Sequence, residues 1–292
     1  MQKLITLLEG HSARSELERW NLCREYLQVI ILKSIFGSSF GRSLVFQGGT
    51  CLRICYNLKR YSEDLDFSLV DKAGYSFPRL HAVVLKELSH QGFDVGGSVS
   101  EDKVVQKAVS THPATARSAV SRAFVRIGGF PRQFGFSMPS GQKLAIKLEV
   151  DVHPPEHGVR ETFFVSRMNE IFPILKYDLP TLFAGKALAL LLRPYERGRD
   201  FYDLIWFLSR HAAGNMAYLK SGLAQAPVGG KIHHSIETWE AALTEVAKKV
   251  DHVKPSILIK DLRPFLEDPS DLQWLKDYPK VFRQLIQYPQ KP

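Results

Sequence analysis

Residues 44–67 constrain the chain more than any other stretch. A short apolar run, Leu44-Val45-Phe46, meets Gly48-Gly49-Thr50, and an amphipathic segment from Cys51 to Leu58 leads on to Asp64-Leu65-Asp66. The order reads as strand, tight glycine turn, short helix, strand. Two carboxylates at i and i+2 on a strand share one face. They repel each other, so a chain that keeps them there needs something to offset the repulsion. Taken alone, Asp-x-Asp also describes an ordinary solvated strand end.

Bound Mg²⁺ is one such offset, because it prefers oxygen ligands and is often shared between one or two carboxylates and substrate phosphates. The glycines suit the other half of such a site. They let the backbone approach a polyphosphate closely, and the helix behind them offers its free N–H groups to phosphate oxygens.

A second strand brings further carboxylates. Lys143 to Val152 alternates, with Leu144, Ile146, Leu148 and Val150 on one face and Lys143, Ala145, Lys147, Glu149 and Asp151 on the other. Either a binding face or the polar outside of a sheet fits this alternation. Farther on, Pro180-Thr181 opens a helix with Lys186 that stops at Arg193-Pro194. Arg197-Gly198-Arg199-Asp200 then opens another, carrying Tyr202, Asp203 and Leu204. An Arg/Asp salt bridge joining two helices is the plain structural reading of this block.

The first block, Gly48, Gly49, Thr50, Leu52 and Arg53 followed by Arg60, Ser62, Asp64, Asp66 and Phe67, resembles the AbiEii-type toxins of type IV toxin–antitoxin systems. These belong to the polymerase-β-like nucleotidyltransferase superfamily and include the mycobacterial MenT toxins. The second block is similar to the same family through Thr181, Leu182, Lys186, Ala189, Leu190, Arg193, Arg199, Asp200, Tyr202, Asp203 and Leu204. The resemblance covers about residues 44–211, and the two blocks are specific together.

The resemblance implies an α/β (α+β) fold, with a mixed-sheet nucleotidyltransferase core and a helical C-terminal lobe. We place these at residues 1–175 and 176–292. It implies a magnesium-dependent nucleotidyltransferase that moves a nucleoside monophosphate from a nucleoside triphosphate to an acceptor. The tRNA 3′ end is the foremost acceptor, and its modification would inhibit translation and growth. Asp64, Asp66 and Glu149 would hold Mg²⁺, two ions in the reading the resemblance implies, with Asp151 the alternative third carboxylate. Gly48, Gly49, Thr50, Arg53, Ser62 and Lys186 would bind nucleotide, Lys186 on the triphosphate and Asp200 positioning it. Arg60, Arg193, Arg199 and Asp203 are further candidates. A cognate antitoxin is implied as partner, with or without direct binding. A protein or small-molecule acceptor, as in antibiotic-modifying relatives, stays open. So does a non-catalytic nucleic-acid binder on a degenerate fold.

Composition bears on the partner and the compartment. A formal net charge of +9 favours a polyanion. Cys23, Cys51 and Cys55 form no paired framework, which suggests a reducing compartment. There is no secretory signal pattern at the N-terminus and no apolar run long enough to span a bilayer, so a cytoplasmic location is expected.

The remaining expectations are local. Ser15–Phe36 reads as a helix against the sheet, with Leu4–Leu8 as a possible hairpin partner, and Pro78–His90 as another helix. Phe93–Val99, Val104-Val105, Ala123–Ile127 and Thr162–Val165 read as strands. The connection from Ser110 to Ser121, with His112 and Arg117, is either a substrate contact or an exposed loop. Past Asn215 the chain shows no catalytic motif. Helices are expected at Ile236–Val250, Pro255–Pro264 and Asp271–Tyr288, and His233, His234 and His252 have no ligand-spaced partner.

Overall fold

The computed structural model describes residues 2–10, 15–95, 120–128, 136, 143–226 and 236–288. Helix α1 (Gln2–Glu9) leads into α2 (Glu16–Gly37), whose Ser15 side chain caps it by accepting from Glu18 N at 3.1 Å. Then come β1 (Leu44–Gln47), α3 (Gly48–Tyr56), β2 (Asp64–Leu69) and α4 (Phe77–His90). Four strands follow, β3 (Val120–Ile127), β4 (Leu144–Asp151), β5 (Arg160–Arg167) and β6 (Glu170–Tyr177). From Leu179 onward every described element is helical: α5 (Leu179–Leu192), α6 (Gly198–Leu208), α7 (Met216–Gln225), α8 (Trp239–Val250), α9 (Pro255–Leu262), α10 (Leu272–Leu275) and α11 (Tyr278–Ile286), with short 3₁₀ turns between.

The strands form one mixed sheet in the order β3-β4-β2-β1-β6-β5. β2 is antiparallel to β1 and parallel to β4, and β6 is parallel to β1. The outer pairs β3–β4 and β5–β6 are antiparallel. α2 packs against β4, β6 and α4, which is why it is buried nearly all round rather than along one stripe. Glu170 on β6 meets Lys3 at 2.9 Å and Lys33 at 2.6 Å, tying α1 and α2 to the sheet.

The alternation in residues 143–152 is borne out, since Leu144, Ile146, Leu148 and Val150 are buried and their neighbours are partly exposed. β3 contains the expected Ala123–Ile127 run. In the opening block the glycines are not a separate turn: α3 begins at Gly48 itself. β6 was not anticipated. Its Pro173 argues against an inner strand, yet the only β1–β6 pairing is Phe46 with Lys176, three residues beyond Pro173. At Pro173 the strand pairs only with Phe164 of β5, so the missing N–H costs little. α7 was also unforeseen, although Asn215 caps it by accepting from Tyr218 N at 3.0 Å. The expected Asp271–Tyr288 helix is two, α10 and α11. Phe93–Val95 is not a strand; the rest of the expected strand to Val99, Val104-Val105, the Ser110–Ala119 connection, His233 and His234 lie outside the described residues.

Helical packing carries the second block toward the sheet. Asp178 caps α5 by accepting from Thr181 N at 2.9 Å. Phe183 of α5 stacks on Phe207 of α6 with ring centroids 4.3 Å apart. Gly198 lets α6 close on α9, because a Cβ there would stand 2.6 Å from the Leu258 carbonyl oxygen.

Candidate active site

The strand register sets the acidic wall of a cleft. Asp66 of β2 lies opposite Glu149 of β4, and Asp64 lies opposite Lys147. Gln47, the last residue of β1, pairs with Asp66 on its other side. The cleft is lined by Asp64, Asp66 and Glu149 on the sheet, Gly48, Gly49, Arg60 and Ser62 around α3, and Lys186, Arg193, Arg197, Arg199 and Asp200 from α5 and α6. One wall is therefore acidic and the facing wall largely basic.

The glycines are dictated by close approach. Gly48 has φ +80°, and a Cβ on it would overlap the Asp66 carboxylate. A Cβ on Gly49 would stand 2.6 Å from Arg60 Nη2 and 3.1 Å from Ser62 Oγ. Thr50 is buried and its hydroxyl donates to the Asp64 backbone carbonyl, so it fixes the strand that carries Asp64.

Charge compensation differs across the acidic wall. Burial, reinforced by Glu149 and then Asp64, pushes the Asp66 carboxyl up to about 7. Asp66 makes no hydrogen bond or ion pair among the described residues. Burial also raises Asp64, against the attraction of Lys147 and of Arg197, whose Nη2 is 3.7 Å away. Glu149 goes the other way. Burial would raise it, but hydrogen bonds from Lys147 at 2.8 Å and from Arg122 hold its carboxyl below the ordinary range.

The basic wall is a chain of alternating charges. Lys186 Nζ lies 3.1 Å from Asp200 Oδ1 and 2.7 Å from Asp203 Oδ2. Asp203 receives a fork from Arg60, Nε at 2.7 Å and Nη2 at 2.6 Å. Asp200 also accepts from Arg193. Although buried, Asp200 is held down to about 2 by Lys186, Arg193 and Arg197. Arg199 meets Glu63 at 3.1 Å and stacks over Phe265 at 4.4 Å.

Among the described residues no group of three His, Cys, Asp or Glu side chains stands ready to hold a metal ion. Glu149 lies beside Asp66, but its oxygens are taken by Arg122 and Lys147. Asp64 and Asp66 do fit a hard divalent cation: they are half-buried oxygen donors on one face, and Asp66 has no hydrogen-bond or ion-pair partner among the described residues.

Comparisons with known proteins show the family and the fold. The family model described as nucleotidyl transferase AbiEii toxin, type IV TA system, matches residues 30–290. The chain belongs to this AbiEii family. It is thus a nucleotidyltransferase of the toxin class, as its two sequence blocks imply. Two solved structures share the fold. JHP933 from Helicobacter pylori is 18% identical, with a TM-score of 0.52 over 94% of this chain and 92% of that one. MenT4, a nucleotidyltransferase toxin from Mycobacterium tuberculosis, is 16% identical, with a TM-score of 0.51 over 97% and 90%. No curated protein sequence matches significantly.

Set beside this AbiEii site, most of the residues singled out in the sequence line the cleft. Three do not. Arg53 is a correction: its guanidinium is buried in ion pairs with Glu25 at 2.8 Å and Glu267 at 2.7 Å and donates to the Leu58 carbonyl, so it braces α3 and does not reach the cleft. Thr50 acts through Asp64 instead of touching the cleft. Asp151, opposite Ser68, lies one pleat beyond Glu149 and outside the lining, where it accepts from His153 N at 2.9 Å. Asp203 supports Lys186 from behind. The sequence reading missed Arg197 as a cleft charge, and Lys147 and Arg122 as the partners that occupy Glu149. Lys147 was findable, since it sits two residues before Glu149 and so shares its face.

Proposed function

We propose that this AbiEii cleft transfers a nucleoside monophosphate from a nucleoside triphosphate to a hydroxyl at a tRNA 3′ end, and that growth arrest follows from the blocked tRNA. The observation that carries the reading is the pairing of Asp64 and Asp66 on one wall with Lys186, Arg193 and Arg197 on the other. Triphosphate charge needs both: cations on its non-bridging oxygens, and a carboxylate-held metal for the charge those cations do not reach.

Asp64 and Asp66 would hold the divalent cation, with Glu149 joining once Arg122 and Lys147 release it. Bound Mg²⁺, two ions in this reading, would supply neutralisation of the phosphates and an acceptor hydroxyl that is easier to deprotonate. Lys186 neutralises the departing phosphates, held in place by Asp200 and Asp203. The exposed N–H groups at the start of α3 face phosphate oxygens, and the bare Gly48 and Gly49 allow the approach. The acceptor oxygen attacks the α-phosphorus in line. A new P–O bond forms, the α–β bridge breaks, pyrophosphate leaves and the hydroxyl proton goes to water. The antitoxin that family membership implies would act on this toxin or on its consequences.

The test is transfer from each α-labelled nucleoside triphosphate into total tRNA with Mg²⁺, beside Asp66→Ala. Label that the variant abolishes supports the reading. Label absent from tRNA, with Mg²⁺-dependent nucleotide binding intact, refutes tRNA as acceptor. Absence of nucleotide binding refutes catalysis.

A further inference from the structure

The acidic wall of the cleft continues along the sheet. On the face that carries Glu149, successive cross-strand pairs of β4 and β3 are Glu149 with Arg122, Lys147 with Phe124, and Ala145 with Arg126. Lys143 follows at the strand's start. The Lys147–Phe124 pair sits one pleat, about 7 Å, from the catalytic row. In β2 the same row holds Asp64.

A groove runs over this face, floored by Phe124, Lys143 and Lys147, walled by Trp20 and Arg24 of α2, and bordered by the carboxylates Glu63 and Asp64 where it meets the cleft. Phe124 is 42% exposed, on a strand where Val125 and Ile127 are fully buried. The Arg126 guanidinium lies 5.2 Å from its ring centroid. Lys143 is exposed and forms no ion pair among the described residues.

We propose that this groove is the acceptor track: it binds the unpaired 3′ strand of an RNA, with Phe124 stacking on a base and Lys143 and Arg126 on its phosphates. The proposal rests on the nucleotidyltransferase reading and adds where the acceptor lies. An exposed ring flanked by cations is the arrangement that single-stranded nucleic acid recognises, because every base has a face to stack and every linkage a charge. A paired base offers no free face, so the track selects single strands. A pocket adjoining the cleft, beside Tyr195 and Lys248, is also basic. It shares Arg193 and Arg197 with the wall that faces the triphosphate, so the acceptor takes the acidic side.

The test uses the full chain and a 5′-fluorescein single-stranded RNA 12-mer with a free 3′ hydroxyl. Binding is followed by anisotropy between 50 and 200 mM salt, beside binding of a fluorescent Mg²⁺–nucleoside triphosphate analogue. Phe124→Ala should weaken RNA binding by about 5- to 100-fold, the range of one lost base stack. Phe124→Trp should restore it. Lys143→Ala should lower the slope of log affinity against log salt by about 0.7, one single-strand phosphate contact. Nucleotide binding should stay within about twofold in all three, because none of them lines the nucleotide cleft. RNA affinity unchanged in Phe124→Ala and Lys143→Ala would overturn the proposal. So would wild-type protein that binds no RNA, or that binds duplex as tightly as single strand. Failure of the wild type to bind nucleotide would count against nucleotidyl transfer, and the RNA results would still decide the groove.

Discussion

Asp66 carries the conflict between stability and function at the residue scale. Its carboxyl, raised to about 7 in the fold, titrates near 4 in an unfolded chain. The folded state therefore holds the proton more tightly. In the metal-free protein this contribution is fully present below about pH 4 and is lost as pH rises through about 7. Asp66→Asn removes the charge and should raise the metal-free Tm at pH 8 by at least about 3 °C, with little change at pH 4. The same variant should abolish transfer, and the Tm increase expected of the wild type on adding Mg²⁺ should be absent from it. Thermal melts at the two pH values check it; a lower Tm at pH 8 would show that Asp66 is stabilising and not a poised ligand. Arg53 gives the opposite case. Arg53→Met removes the partner that Glu25 and Glu267 share, leaving Glu25 to Arg167 and Glu267 to Lys59, and should cost about 1–3 kcal/mol in urea unfolding. At a temperature where the variant is folded, its KM for nucleotide should be unchanged.

At the element scale, α3 and its flanking strands place the site. Gly48→Ala puts a methyl group where the Asp66 carboxylate lies, at a φ that alanine adopts with strain. It should reduce transfer at least about 100-fold, more than its effect on Tm explains, while Gly74→Ala, also positive in φ but with open space around it, should only destabilise. Parallel melts and transfer assays separate the two. This block was legible in the sequence because its constraints are local: the glycines, the Asp-x-Asp spacing and the alternation of β4 each follow from period and turn chemistry. Arg53 misled because it sits beside Gly49 and Thr50 in sequence, while its partners Glu25 and Glu267 come from distant segments that no local pattern joins. β6 stayed hidden because the harmlessness of Pro173 depends on how short β1 is. Arg197 stayed hidden for a related reason: its proximity to Asp64 depends on how α6 docks on the sheet.

For the whole molecule, the decisive feature is that residues 263–267 return to α2, α3 and the segment that leads into β2. After α9, residues 263–267 lie against the sheet side of the cleft. Asn21 donates to the Pro264 carbonyl at 2.9 Å, Tyr61 N to the Phe265 carbonyl at 2.7 Å, and Glu267 reaches Arg53. Arg60, which holds Asp203 and through it Lys186, bridges to Leu266. This segment therefore fastens the helices that bring the basic wall to the strands that bring the acidic one. A chain ending at Leu262 keeps every cleft-lining residue yet loses that fastening. It should lose cooperative thermal unfolding and Mg²⁺-dependent nucleotide binding together. The milder Glu267→Ala should lower stability by about 1–3 kcal/mol and weaken nucleotide binding only near its Tm. Wild-type nucleotide affinity in the truncated chain would show that the two walls hold together through α5 and α6 alone.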